Sequence, residues 1–193
     1  MSNEGIIKFT CSLIEDEPPD SDIISELNEV RNELFRLGYI GVNSDNIGYG
    51  NISMRYDADD SFIITGTQTG AKKILTPADY TIVTKFNIAA NTLTCRGKVK
   101  ASSESLTHAA AYSASAKINA VIHIHSKKIW LKLYNSALAT PEECSYGTPQ
   151  LALEIEKICR KNYENIIVLK GHEEGIIITS GNLQDALALT KSL

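Results

Sequence analysis

The sequence predicts a mixed α/β protein, one domain in which a mixed β-sheet is covered by helices. Three observations predict it. Short β-branched runs broken by glycine crowd the stretch from Gly48 to Cys95. Runs with helical spacing interleave with further strand-like runs on either side of that stretch. Finally, strands and helices do not alternate as a repeated strand–helix–strand winding, which argues for a mixed sheet rather than an all-parallel one. The 193 residues suffice for one well-packed core and are short for two, so the domain is taken as 1–193.

Each element follows from its local pattern. Residues 6–14 are β-branched and partly alternating, a strand that Pro18-Pro19 ends. Ser21 is the expected N-cap of a helix in which Ile23, Ile24, Leu27, Val30, Leu34 and Leu37 recur at helical spacing as far as Gly38. Strands are expected at 51–56, 61–65, 80–84 and 92–95. Ser102 and Ser103 lead into a helix through Leu106, Ala109, Ala110 and Tyr112. The apolar run Ala120-Val121-Ile122 begins a strand that ends at His125. Helices at 129–134 and 149–161, strands at 166–170 and 175–179, and a closing helix near Asn182 complete the reading.

Composition excludes several function classes. A net charge of -4 and a pI near 5.6 argue against a general nucleic-acid partner. No stretch approaches the ~20 apolar residues of a membrane helix, and residues 1–5 do not read as the start of a secretory signal. Cys11, Cys95, Cys144 and Cys159 form no CxxC pair and read as reduced thiols, which fits a cytoplasmic location.

The chemistry gathers in the second half, where all four histidines lie. On a strand, residues two apart point the same way, so His123 and His125 present both imidazoles to one face while Ile122 and Ile124 enter the core. That spacing suits a zinc ion with bonds of about 2.0–2.1 Å. Alone, an H-x-H run is often just a strand carrying two satisfied histidines. A third ligand is offered by the turn Gly171-His172-Glu173-Glu174-Gly175, as either His172 or Glu174. Glu104, just inside a helix start, is a candidate acid–base carboxylate, or a plain capping-box element. His108, one turn on, suits a supporting role. Small-residue clusters at Gly50-Asn51-Ile52-Ser53, at 65–70 and at Ser102-Ser103 can cradle an anion with main-chain N–H groups and hydroxyls. The second lacks the lysine of a P-loop, which argues against a nucleotide.

Taken in order, six segments resemble the class II aldolase/adducin family: Gly50-Asn51-Ile52-Ser53, the run 64–70, 102–108 with its Ser-Ser-Glu, 120–125 with its H-x-H, Tyr146-Gly147-Thr148 and Gly171-His172 with Gly175. The resemblance implies a three-layer α/β/α fold around a largely antiparallel mixed sheet. It also implies one zinc ion, or another divalent metal, on His123, His125 and His172. Glu104 would move the substrate proton, and Gly50, Asn51, Thr69, Gly70, Ser102 and Ser103 would hold a substrate phosphate. The implied reaction is a reversible aldol cleavage of a small sugar phosphate through an enediolate. Sugar-phosphate 4-epimerase or dehydratase chemistry on the same site is the alternative, and a non-catalytic adducin-like module is a further one. The expected partners are a small-molecule substrate and copies of the chain, as a homotetramer with active sites at subunit boundaries; neither nucleic acid nor membrane is expected. The sequence departs from the family pattern at Ala101, where proline is usual, at Glu173-Glu174 after the last histidine, and in a shortened stretch between His125 and Tyr146. Tyr134 and Tyr146 are the nearby tyrosines that could donate a proton.

Overall fold

A computed structural model of the chain describes residues 6–56, 60–135 and 137–193; the reading made above for residues 1–5 lies outside them. The chain opens with β1 (Thr10–Glu15) and α1 (Ser21–Arg36). A short pair, β2 (Gly41–Val42) and β3 (Gly48–Tyr49), leads into β4 (Asn51–Arg55) and β5 (Phe62–Thr65). A single 3-10 turn at Pro77–Asp79 precedes β6 (Tyr80–Asn87) and β7 (Thr92–Gly97). Then come α2 (Ser105–Ala114), β8 (Ala120–His125), α3 (Lys127–Leu133) and β9 (Leu138–Thr140). The chain closes with α4 (Pro149–Cys159), β10 (Asn165–Leu169), β11 (Gly175–Ser180) and α5 (Leu183–Lys191).

Nine of these strands form one sheet in the order β1-β7-β6-β5-β4-β8-β11-β10-β9. The two outermost pairings, β1 with β7 and β9 with β10, are parallel; the inner pairings are antiparallel. Alternation along each strand divides the core in two. Ile64, Val121 and Ile177 face α2 and α4, against Leu106, Ala109, Leu151 and Ile155. Ile52, Ile63, Ile122, Ile124, Ile176 and Ile178 face the opposite way, against Ile24, Leu27, Val30 and Leu34 of α1, Ile129 of α3 and Leu183 of α5. The expected α/β/α layering is present. Each such aliphatic side chain contributes about 1.5–3 kcal/mol when fully buried. A one-residue slip of β8 would turn its isoleucines to the wrong face and carry the histidines with them.

The structure corrects several local expectations. Asp20, not Ser21, caps α1, because its carboxylate accepts from Asp22 N at 2.9 Å while Ser21 is already helical. The first strand starts only at Thr10, where Thr92 of β7 becomes available to pair. The helix that Ser102 and Ser103 lead into begins at Ser105, so Glu104 is its N-cap rather than just inside it; the turn before it has Ser105 N and Oγ both donating to Ser102 O. Two- and three-residue strands such as β2, β3 and β9 are too short to carry a period, and the sequence reading has none of them. None of the four thiols is bridged, and Cys11 Sγ lies 3.7 Å from Cys95 Sγ. No helix among the described residues is long and apolar enough to cross a membrane.

Candidate active site

β8 lies between β4 and β11, and all six of its residues are buried. His123 sits opposite Asn51 of β4 and Ile177 of β11, and His125 sits opposite Gly175. The β10–β11 turn returns His172 to the same place, held by His172 N to Leu169 O at 3.1 Å and Gly175 N to His172 O at 3.0 Å. The three imidazole centroids lie 4.9, 5.1 and 4.7 Å apart. One ligand nitrogen from each falls within 4.8 Å of the others, so the three could hold a metal ion. Of the two candidates in the turn, the geometry gathers His172; Glu174 is not in the cluster and takes the left-handed turn position at φ 68°. Gly175 is needed for the close approach, since a Cβ there would stand 3.2 Å from His123 Nε2.

The donor set fits a divalent metal. Burial, and then the neighbouring His125 and His172, hold the His123 pKa well below its ordinary value, so the ring stays in the neutral form that metals bind. Its Nε2 is buried with no hydrogen-bond partner among the described residues. Its Nδ1 lies 3.4 Å from Asn51 Nδ2, and Asn51 Oδ1 is likewise buried without a partner. Turned over, that amide accepts from Nδ1–H and leaves the Nε2 lone pair for a metal.

Glu104 occupies the N-cap position of α2, where its side chain makes no capping bond; the capping-box alternative does not hold. Instead Thr107 Oγ1 donates to Glu104 Oε2 at 2.8 Å, while Oε1 has no hydrogen-bond partner among the described residues and stands 3.7 Å from His172 Nδ1. One carboxylate oxygen is pinned and the other faces the histidines. Below it, His108 stands one turn further along α2. Burial pushes its pKa down to about 3. Its Nδ1 and the Tyr112 hydroxyl each lie 2.7 Å from Ser53 Oγ, a knot that ties α2 to β4. His108 lies outside the cluster of three histidines and binds Ser53 instead.

The expected phosphate residues Gly50, Asn51, Thr69, Gly70, Ser102 and Ser103 line one narrow cleft together with Glu104, His123 and His172. Gly50 has φ +73°, and a Cβ on it would meet Tyr39 O at 2.8 Å. At Gly70 an added Cβ would meet Gly41 O at 2.1 Å. Both glycines therefore also answer to packing. Gly48 and Tyr49 line the cleft too, without having been singled out as site residues. Of the two candidate tyrosines, Tyr146 packs its ring 4.9 Å from His172, whereas Tyr134 lies outside the cleft and donates to Glu142 Oε1 at 2.6 Å. Tyr146 belonged to a recognised stretch, but nothing in the sequence aims its ring at a histidine.

Comparison with known proteins follows the same lines. The model of the Class II Aldolase and Adducin N-terminal domain matches residues 33–193. No curated protein matches the chain. Among solved structures, YgbL from Klebsiella pneumoniae is 18% identical with a TM-score of 0.67, over 89% of this chain and 84% of that one. An L-fuculose 1-phosphate aldolase is 19% identical with a TM-score of 0.65, over 90% and 82%. A sugar-phosphate aldolase from Thermotoga maritima is 13% identical with a TM-score of 0.56, over 89% and 94%. At these identities the likeness is one of fold; the family rests on the match to residues 33–193. The chain belongs to the class II aldolase and adducin family.

Proposed function

We propose that the protein is a zinc-dependent aldehyde-lyase that reversibly cleaves a carbon–carbon bond in a small phosphorylated ketose. One observation carries this reading. Two members of the three-histidine cluster, His123 and His172, line one cleft together with Glu104 and with glycine, serine and threonine residues at 48–50, 66–70 and 102–103. A divalent ion held by His123, His125 and His172 supplies, when bound, Lewis acidity that polarises a carbonyl and stabilises the negative charge left as the bond breaks.

The remaining steps belong to the chain's own residues. Glu104 moves the proton through Oε1, with Oε2 held by Thr107. Main-chain N–H groups at Gly70 and the Ser102-Ser103 turn hold the phosphate, so binding energy far from the reacting carbons orients them. The homotetramer and the cytoplasmic location expected from the family and the thiols belong to this same reading. The adducin-like alternative is disfavoured by the complete histidine set.

The test is aldehyde release from a panel of ketose 1-phosphates by protein stripped with chelator and reloaded with Zn2+. Release that needs the metal is the expected result. An epimerised product without aldehyde moves the chemistry to the 4-epimerase reading. No turnover of any member by the loaded protein counts against the lyase.

A further inference from the structure

Arg31 lies on α1, outside the residues that line the cleft, and is 1% exposed. Among the described residues no carboxylate pairs with it. Its acceptors are two main-chain carbonyls of the cleft loop: Nη1 donates to Lys73 O at 3.0 Å and Nη2 to Thr69 O at 3.4 Å. The Phe35 ring covers its guanidinium carbon at 4.6 Å. Asp79, an acid whose field reaches it, makes its own contacts to Lys72 and to Thr76 N and Oγ1. A buried cation with no directly paired carboxylate is costly, and a nearby anion relieves that cost.

The direction of one peptide says where that anion sits. The chain has no cis peptide bonds among the described residues. A trans peptide sets its C=O and N–H on opposite sides. With Thr69 O drawn toward α1 by Arg31, and accepting from Lys72 N at 3.1 Å as well, the Gly70 N–H turns to the other side. Gly48, which lines the cleft, packs against this peptide: a Cβ added to it would lie 3.4 Å from Gly70 N.

We propose that Arg31 is a positioning residue for a phosphate monoester: it aims the Gly70 N–H into the cleft and sets a buried positive charge one peptide behind the bound dianion. This rests on the reading of the cleft as a phosphorylated-substrate site. A guanidinium suits the task because its fork bridges two carbonyls at once and keeps its charge when buried.

The experiment is calorimetric titration of inorganic phosphate into the zinc-loaded protein, unaltered and as Arg31→Met and Arg31→Lys, with zinc content measured for each. Arg31→Met is expected to weaken phosphate binding tenfold or more at unchanged zinc content, and Arg31→Lys to restore part of the loss. Should Arg31→Met not fold, Arg31→Gln takes its place under the same criteria. Phosphate affinity within twofold of the unaltered protein overturns the proposal, as does a parallel loss of zinc and phosphate, which marks a merely structural residue. Failure of the unaltered protein to bind phosphate overturns the phosphate reading of the cleft and this proposal with it. Weakened binding confined to the variants leaves that reading standing and supports the proposal.

Discussion

The two walls of the cleft are built in different ways. The histidine wall is made of side chains whose chemistry is specific: His123 and His125 on a central strand, His172 on the adjoining turn, Glu104 at the foot of α2. The facing wall is made of backbone, at Gly66, Thr67, Gln68, Thr69 and Gly70, held from behind by α1. Side-chain chemistry announces itself by residue type, whereas a backbone wall depends on peptide orientation, which residue type does not reveal. Substitutions on the two walls should therefore fail differently: the first through metal and turnover, the second through anion affinity and folding.

The largest effect is expected on the histidine wall. His123→Ala with His125→Ala leaves one imidazole and should abolish zinc binding, read as metal content of the purified protein. Full occupancy in that double variant would break the assignment. Next comes Glu104→Gln, expected to keep its zinc and lower kcat on the order of 10²–10⁴-fold. Undiminished turnover would remove Glu104 from the mechanism. On the opposite wall, Gly70→Ala drives a Cβ into Gly41 O. It should lose stability by about 1–3 kcal/mol and weaken phosphate binding while leaving metal affinity intact. Equal loss of metal would erase the distinction between the walls.

The smallest effects concern the knot beneath Glu104. Ser53→Ala strips a partner from both His108 and Tyr112, and is expected to cost about 1–3 kcal/mol in a thermal or denaturant melt, with zinc content unchanged. His108 also makes stability depend on pH. Its folded value of about 3 lies below its ordinary 6.5. The unfolded chain takes up that proton as pH falls below 6.5, while the folded one refuses it until about 3. Stability from this source is full above 6.5 and is lost as pH falls through that window, by a few kcal/mol at most. His108→Gln should flatten that slope.

Much of this was legible in the residues, for physical reasons. A period of two along 120–125 predicts both the strand and the shared face of His123 and His125. The layered fold follows from apolar patterning in α1, α4 and β4–β7, because each face must be buried somewhere. The third ligand is ambiguous in the sequence between His172 and Glu174, since a turn has no period; only the fold, which gathers His172 with His123 and His125, separates them. The start of α2 is legible to within a residue or two: Ser102 and Ser103 look like caps, whereas the turn there uses the Ser102 carbonyl and Glu104 takes the N-cap position. Arg31 gave no signal at all. It sits in a helix rich in charged residues, and only burial sets it apart from Arg36, which is mostly exposed and paired with Glu33.

The most direct test of the account is a crystal structure of the protein grown with Zn2+ and inorganic phosphate. It should show one anomalous zinc peak bounded by His123, His125 and His172, and a phosphate in the same cleft against Gly70, Ser102 and Ser103. Zinc bound elsewhere, or phosphate outside the cleft that holds the zinc, would contradict it.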